Sequence, residues 1–205
     1  MGIDPGALFA LVCGQLPEHT WAPGGVPLLA CQRCTGLYAG AAVALALHAL
    51  LRLRASDGFV ALHAAFLVVM VPLGYHWLPQ DGLVRTLSGV LFGAGVVDFL
   101  WVNPARWIRG TRTPDRGAWG AYLAALALTL AVAPLLALRG DARAAVLLDA
   151  LAIAGLAALA LLVLANLALA LRWLALRLIA APGGSRGAPA WPPVRRAPRG
   201  AAPRR

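Results

Sequence analysis

Charge is what this chain is short of. Only 13% of its 205 residues are Asp, Glu, Lys or Arg, and lysine is missing altogether. A soluble domain carries about 25% charged residues. This chain therefore cannot clothe a water-facing surface of ordinary composition, which argues against a soluble enzyme. Chemical signatures are scarce as well: no Walker loop, no dinucleotide G-x-G-x-x-G and no H-E-x-x-H occur. The three serines, Ser56, Ser88 and Ser185, lie in no setting that suggests a catalytic triad. Three cysteines are too few for a disulfide scaffold.

What is present is apolar. Sixty per cent hydrophobic residues and a mean hydropathy of +0.75 point to an integral membrane protein. A bilayer core about 30 Å thick calls for about 20 apolar residues per helix. Five stretches meet that length: 35–51, 59–78, 83–102, 119–138 and a fifth from 144 to about 171. The fifth runs on through Arg172, Trp173 and Arg177, which suit an interface or a helix extended past it. The expected fold is an all-α, multi-pass transmembrane bundle of about five helices. Its parts are an N-terminal cysteine-bearing segment (1–34), a three-helix membrane unit (35–102) and a basic loop (103–117). Two further helices (118–181) and a disordered tail rich in Arg, Pro, Ala and Gly (182–205) follow. The first segment lacks the basic start of a signal peptide, having Asp4 instead.

The net charge is nevertheless +10, and every basic residue is Arg. Five spans divide the loops into two sets. One set holds Arg33, Arg85, Arg139 and Arg143, and the other holds the remaining 14 arginines, six of them in the tail. The positive-inside rule makes the richer set cytoplasmic. The N-terminus is then outside, the C-terminus inside, and the protein lies in the inner (plasma) membrane. The tail suits anionic lipid headgroups at about 1 kcal/mol per residue, and no nucleic-acid partner is expected.

The cysteines cluster before the first span: Cys13, then Cys31-Gln-Arg-Cys34. A C-x-x-C spacing lets two thiolates share a metal or form a redox pair. The run Cys31-Gln-Arg-Cys-Thr-Gly-Leu-Tyr-Ala-Gly40, with Arg85-Thr-Leu-Ser-Gly89-Val-Leu-Phe-Gly93 further on, resembles domain-of-unknown-function family 2085. That family comprises bacterial and archaeal predicted integral membrane proteins. The resemblance covers roughly 13–95 and implies architecture and a cysteine site rather than a reaction. Gly14 departs from the family pattern, which has His there, and His19 stands near the family's Arg.

The predicted topology brings Cys13, His19, Cys31, Cys34, His76, Asp81 and Arg85 to the outer leaflet. Cys13, Cys31, Cys34 and His76 would complete a tetrahedral set for zinc, copper or iron. A structural disulfide from Cys13 to Cys31 or Cys34, or an active dithiol, fits the same residues. Three functions follow: a non-enzymatic membrane protein with an outer-face thiol or metal site, a small transporter or channel-like subunit for a metal ion or solute, or a membrane thiol-redox protein.

Elsewhere, His48 and His63 read as packing residues, with a proton relay or ligand pair as the alternative. Asp98 is expected to pair with Arg52, Arg54 or Arg106. Asp149 and Asn166 read as boundary or interhelical hydrogen-bonding residues. Gly36-x-x-x-Gly40 and Gly89-x-x-x-Gly93 are small-residue faces suited to packing within the bundle. Pro72 and Pro134 are expected to kink their helices.

Overall fold

The computed structural model describes residues 4–54, 56–75, 77–108 and 110–180. The expected tail, 182–205, lies outside them. Helix α1 (Pro5–Ala10) and two 3₁₀ turns (Pro17–His19 and Pro23–Gly25) lead into five helices long and apolar enough to cross a membrane. These are α2 (Gln32–Leu50), α3 (Asp57–Gly74), α4 (Gly82–Ala105), α5 (Arg116–Arg139) and α6 (Ala142–Ala180). The all-α, multi-pass architecture is as the hydropathy runs predict.

Several starts are set by short polar side chains that satisfy otherwise unpaired amides. Asp81 Oδ1 accepts from the Val84 amide at 2.8 Å, and Asp115 Oδ1 accepts from that of Ala118 at 2.8 Å. Ser56 caps α3 in the same way. At its other end, α3 closes four residues before the apolar run does. Pro72 occupies its last turn, and the Trp77 amide folds back onto the Pro72 carbonyl. Pro134 is accommodated within α5, which runs on to Arg139. Helix α6 runs for 39 residues.

By packing, the chain falls into two units, Met1–Leu167 and Ala168–Arg205. In the second, the Arg177 guanidinium lies 4.3 Å over the Trp173 ring, a cation–π pair.

Within the first unit, α4 packs most extensively against α2, and glycine is the reason. A Cβ on Gly36 would run into the Thr86 carbonyl, and one on Gly40 into that of Val90. From the other side, Gly89 would meet the Arg33 carbonyl and Gly93 that of Leu37. The two G-x-x-x-G faces are therefore one reciprocal seam along which backbones touch. Such contact drives association where lipid removes the hydrophobic incentive. Both chains ascend together along the seam, so α2 and α4 are parallel. Gly155 on α6 makes a similar approach to the Tyr38 carbonyl.

The loops sort as the arginine count divides them. Arg54 donates its amide to the Arg112 carbonyl at 2.8 Å, and Arg112 returns one to Arg52 at 2.9 Å. The two basic loops are thus joined at one end. At the other end, the Arg33 guanidinium reaches the Leu73 carbonyl and Gln80, and the Leu29 amide reaches Asp149. Large apolar side chains such as Val68, Leu128, Leu161 and Leu164 point outward from α3, α5 and α6, as a lipid-facing surface requires.

Replacing Gly89 with Leu is expected to destabilise the bundle by more than about 3 kcal/mol, beyond ordinary overpacking. Gly120→Ala, at a position where a Cβ meets nothing, is the matched neutral change. Denaturant unfolding in detergent measures both.

Candidate functional site

The segment before α2 folds over the ends of the helices and is fastened by side chains they supply. Trp21 Nε1 donates to Thr86 Oγ1 on α4 at 2.9 Å, and Asp149 Oδ1 on α6 accepts from the Leu29 amide at 2.9 Å. Gln15 Nε2 donates to the Leu29 carbonyl at 2.7 Å, drawing the loop's two limbs together. Phe9 is fully buried, edge-on to Tyr38 with ring centroids 5.4 Å apart. These ties place residues 13–14 beside the start of α2.

Cys31 is the N-cap of that helix, and its thiol is not spent on capping. Cys34 sits one turn on, on the same face. The Cys31 amide donates to Cys13 Sγ at 3.3 Å. All three thiols are free, and their sulfurs lie within 4.8 Å of one another. They line a cavity of about 320 Å³ together with His19, Arg33 and Arg85. Hydrogen bonding from the Cys34 thiol, with further bonds from the Cys34 amide, Cys13 and the Arg33 amide, holds the Cys31 thiol down at about 5 despite its partial burial. The helix N-terminus favours the same anionic form.

Of the residues expected to converge here, Cys13, His19, Cys31, Cys34 and Arg85 share the cavity. Asp81 is instead exposed and occupied in capping α4. His76 lies outside the described residues. Arg33, passed over in the sequence as a topological charge, lines the site; its place inside the C-x-x-C was the available signal. Gly14 also lines the cavity, and a Cβ there would meet nothing within 4 Å.

A second polar group forms in the helix interior, toward the opposite end. The α2–α4 seam that pairs Gly36 with Thr86 and Gly40 with Val90 carries on to set His48 against Asp98. His48 Nε2 is 3.4 Å from Asp98 Oδ1, and His63 Nδ1 on α3 is 3.6 Å from Oδ2; all three side chains are fully buried. Among the described residues, Asp98 pairs with these imidazoles and not with Arg52, Arg54 or Arg106. The seam turns the carboxylate inward, away from the loops that carry those arginines. Asn166 bridges α6 to α4 as anticipated, donating to the Leu100 carbonyl at 2.8 Å and meeting Asn103 at 3.2 Å.

Residues 13–99, from the first cysteine through most of α4, match the family described as predicted membrane protein (DUF2085) and are similar to it over that stretch. No curated protein and no solved structure matches the chain. The protein is a multi-pass membrane protein, and its cysteine cluster falls within the matched segment.

Because the Cys31 thiol is held at about 5, it is about nine-tenths thiolate at pH 6 and almost wholly so above pH 7. Its alkylation rate is expected to stay flat between about pH 6 and 8, whereas an ordinary thiol near 8.5 gains almost tenfold per unit. Mass-spectrometric iodoacetamide kinetics, peptide by peptide, make the comparison.

Proposed function

We propose that this membrane protein binds one soft metal ion at the face carrying its N-terminal segment, through the thiolates of Cys13, Cys31 and Cys34. The observation that carries the reading is the gathering of three free sulfurs within 4.8 Å on the wall of one cavity. Zinc–sulfur bonds of about 2.3 Å place tetrahedral sulfurs roughly 3.8 Å apart, so closure about an ion needs shifts of an ångström or less. A disulfide could engage only two of the three sulfurs. Zinc, copper(I) and iron are the ions that thiolates select. His19, on the cavity wall, and His76, assigned from the sequence, are the candidates for the fourth position.

Three thiolates around a divalent ion carry one net negative charge, which Arg33 and Arg85 on the cavity wall offset. The arginine distribution orients the cavity to the non-cytoplasmic side of the plasma membrane, with the basic tail toward anionic headgroups on the other.

The low-lying Cys31 thiol favours a second reading, thiol–disulfide exchange. There, the Cys31 thiolate attacks a substrate disulfide and releases one substrate thiolate. The Cys34 thiol then attacks the mixed disulfide and passes its proton to the departing sulfur, leaving a Cys31–Cys34 disulfide and releasing the second substrate thiol.

Elemental analysis of the full chain, purified under reducing conditions, separates the two readings. About one equivalent of zinc, copper or iron is expected, falling severalfold in Cys31→Ser. Gly14→His, which adds an imidazole where space is open, should slow loss of the ion to a chelator by about tenfold. Less than about half an equivalent overturns the metal reading. If the protein then also cycles two thiols reversibly against a small disulfide, the redox reading stands.

A further inference from the structure

The buried group at the opposite end of the seam has a role of its own. Asp98, on α4, is faced from three other helices: His48 stands against it from α2, His63 from α3, and Tyr122 of α5 stands behind His63. On α6, Asn166 is occupied with Leu100 and Asn103 and does not titrate. Neither carboxyl oxygen of Asp98 has a hydrogen-bond partner, nor does either nitrogen of His48. A carboxylate left without donors in such a place costs several kcal/mol, and intramembrane ionisable groups mark sites of function.

His63 is differently placed. Its Nδ1 is 2.7 Å from the Phe59 carbonyl and its Nε2 is 2.6 Å from Tyr122 Oη. The carbonyl can only accept, so Nδ1 carries the proton and Tyr122 donates to Nε2. With both His63 nitrogens engaged, only His48 and Asp98 are left to bind anything, too few ligands to hold a cation. Aromatic rings fill the space beyond: Phe59, Trp101 and Tyr122 all stand with centroids 5.7–6.0 Å from the His48 ring.

We propose that Asp98 and His48 form a membrane-buried proton-binding site, in which one exchangeable proton is held between Asp98 Oδ1 and His48 Nε2. In one state the Asp98 O–H donates to neutral His48. In the other, the O–H bond has broken and an N–H bond has formed, leaving a carboxylate beside an imidazolium. Closing the 3.4 Å separation by about half an ångström makes the hydrogen bond in either state. His63, locked by Phe59 and Tyr122, stands beside the second carboxyl oxygen at 3.6 Å without donating to it. Trp101 also walls a cavity of about 200 Å³ with Ala49, Arg52, Ile108 and Thr111, a route by which a proton would reach the site.

Infrared difference spectroscopy of the full chain in lipid nanodiscs, taken across a pH series, reads the site directly. A protonated-carboxyl C=O band is expected to titrate between about pH 4 and 9, to vanish in Asp98→Asn and to shift in frequency in Asp98→Glu. His48→Gln is expected to move its midpoint by about one unit or more. Absence of any titrating band assignable to Asp98 overturns the proposal, as does a midpoint unchanged in His48→Gln. So does a stoichiometric cation retained in Cys13→Ser/Cys31→Ser/Cys34→Ser and lost in His48→Gln. Should Asp98→Asn not fold, the Asp98→Glu and His48→Gln spectra decide alone.

Discussion

The close approach of α2 to α4 is the constraint on which the rest of this protein depends. Backbone meets backbone at Gly36, Gly40, Gly89 and Gly93, where no side chain of any size is admitted. Such a contact tolerates neither rotation nor sliding, because either motion drives a carbonyl into a Cβ. It therefore fixes register as well as distance. At one end the register brings Arg33 and Cys34 to the side of Arg85; at the other it brings His48 to Asp98. Two chemically distinct places share one mechanical cause.

The division of polar groups follows from the same arrangement. Lipid accepts the outward faces of α3, α5 and α6, which are mainly Val, Leu and Ala. Thr86, Trp21 and Gln32 are satisfied among themselves at one end, where Thr86 Oγ1 takes the indole proton and lies within hydrogen-bonding reach of the Gln32 and Gly82 carbonyls. The interior near Asp98 is not satisfied in that way. Its unpartnered atoms sit among aromatic rings, where an uncompensated charge is most costly. Stability alone gives no reason for such an arrangement.

Much of this was legible in the sequence. Five long apolar runs gave the spans, because a bilayer imposes a length no soluble core requires. Cys31-x-x-Cys34 announced a thiol pair, and Cys13 was near enough in the chain to join it. The two small-residue motifs were visible too. What spacing could not supply was which residue of one helix faces which of another. Asp98 beside a basic loop in sequence suggested arginine partners, yet the α2–α4 register turns it toward His48 and His63. Asp81 looked like a site carboxylate and proved to be a helix cap, a local role that competes with any distant one. The end of α3 was misplaced because Trp77 and Leu78 are as apolar as a span, although Pro72 had already limited the helix.

The fastening of the N-terminal segment has a consequence for how the protein is made. The Leu29 amide bonds to a carboxylate 120 residues further along the chain, on α6. During synthesis the cysteines emerge first and the helix that secures their loop emerges last. The loop's ties to α2 and α4 can form earlier, through Phe9 and Trp21, but its tie at Leu29 waits until every other span has been inserted. Full fastening of the loop beside Cys31 is then a report that the whole bundle has assembled, and a chain halted before α6 would carry its three sulfurs on a loop short of one of its ties.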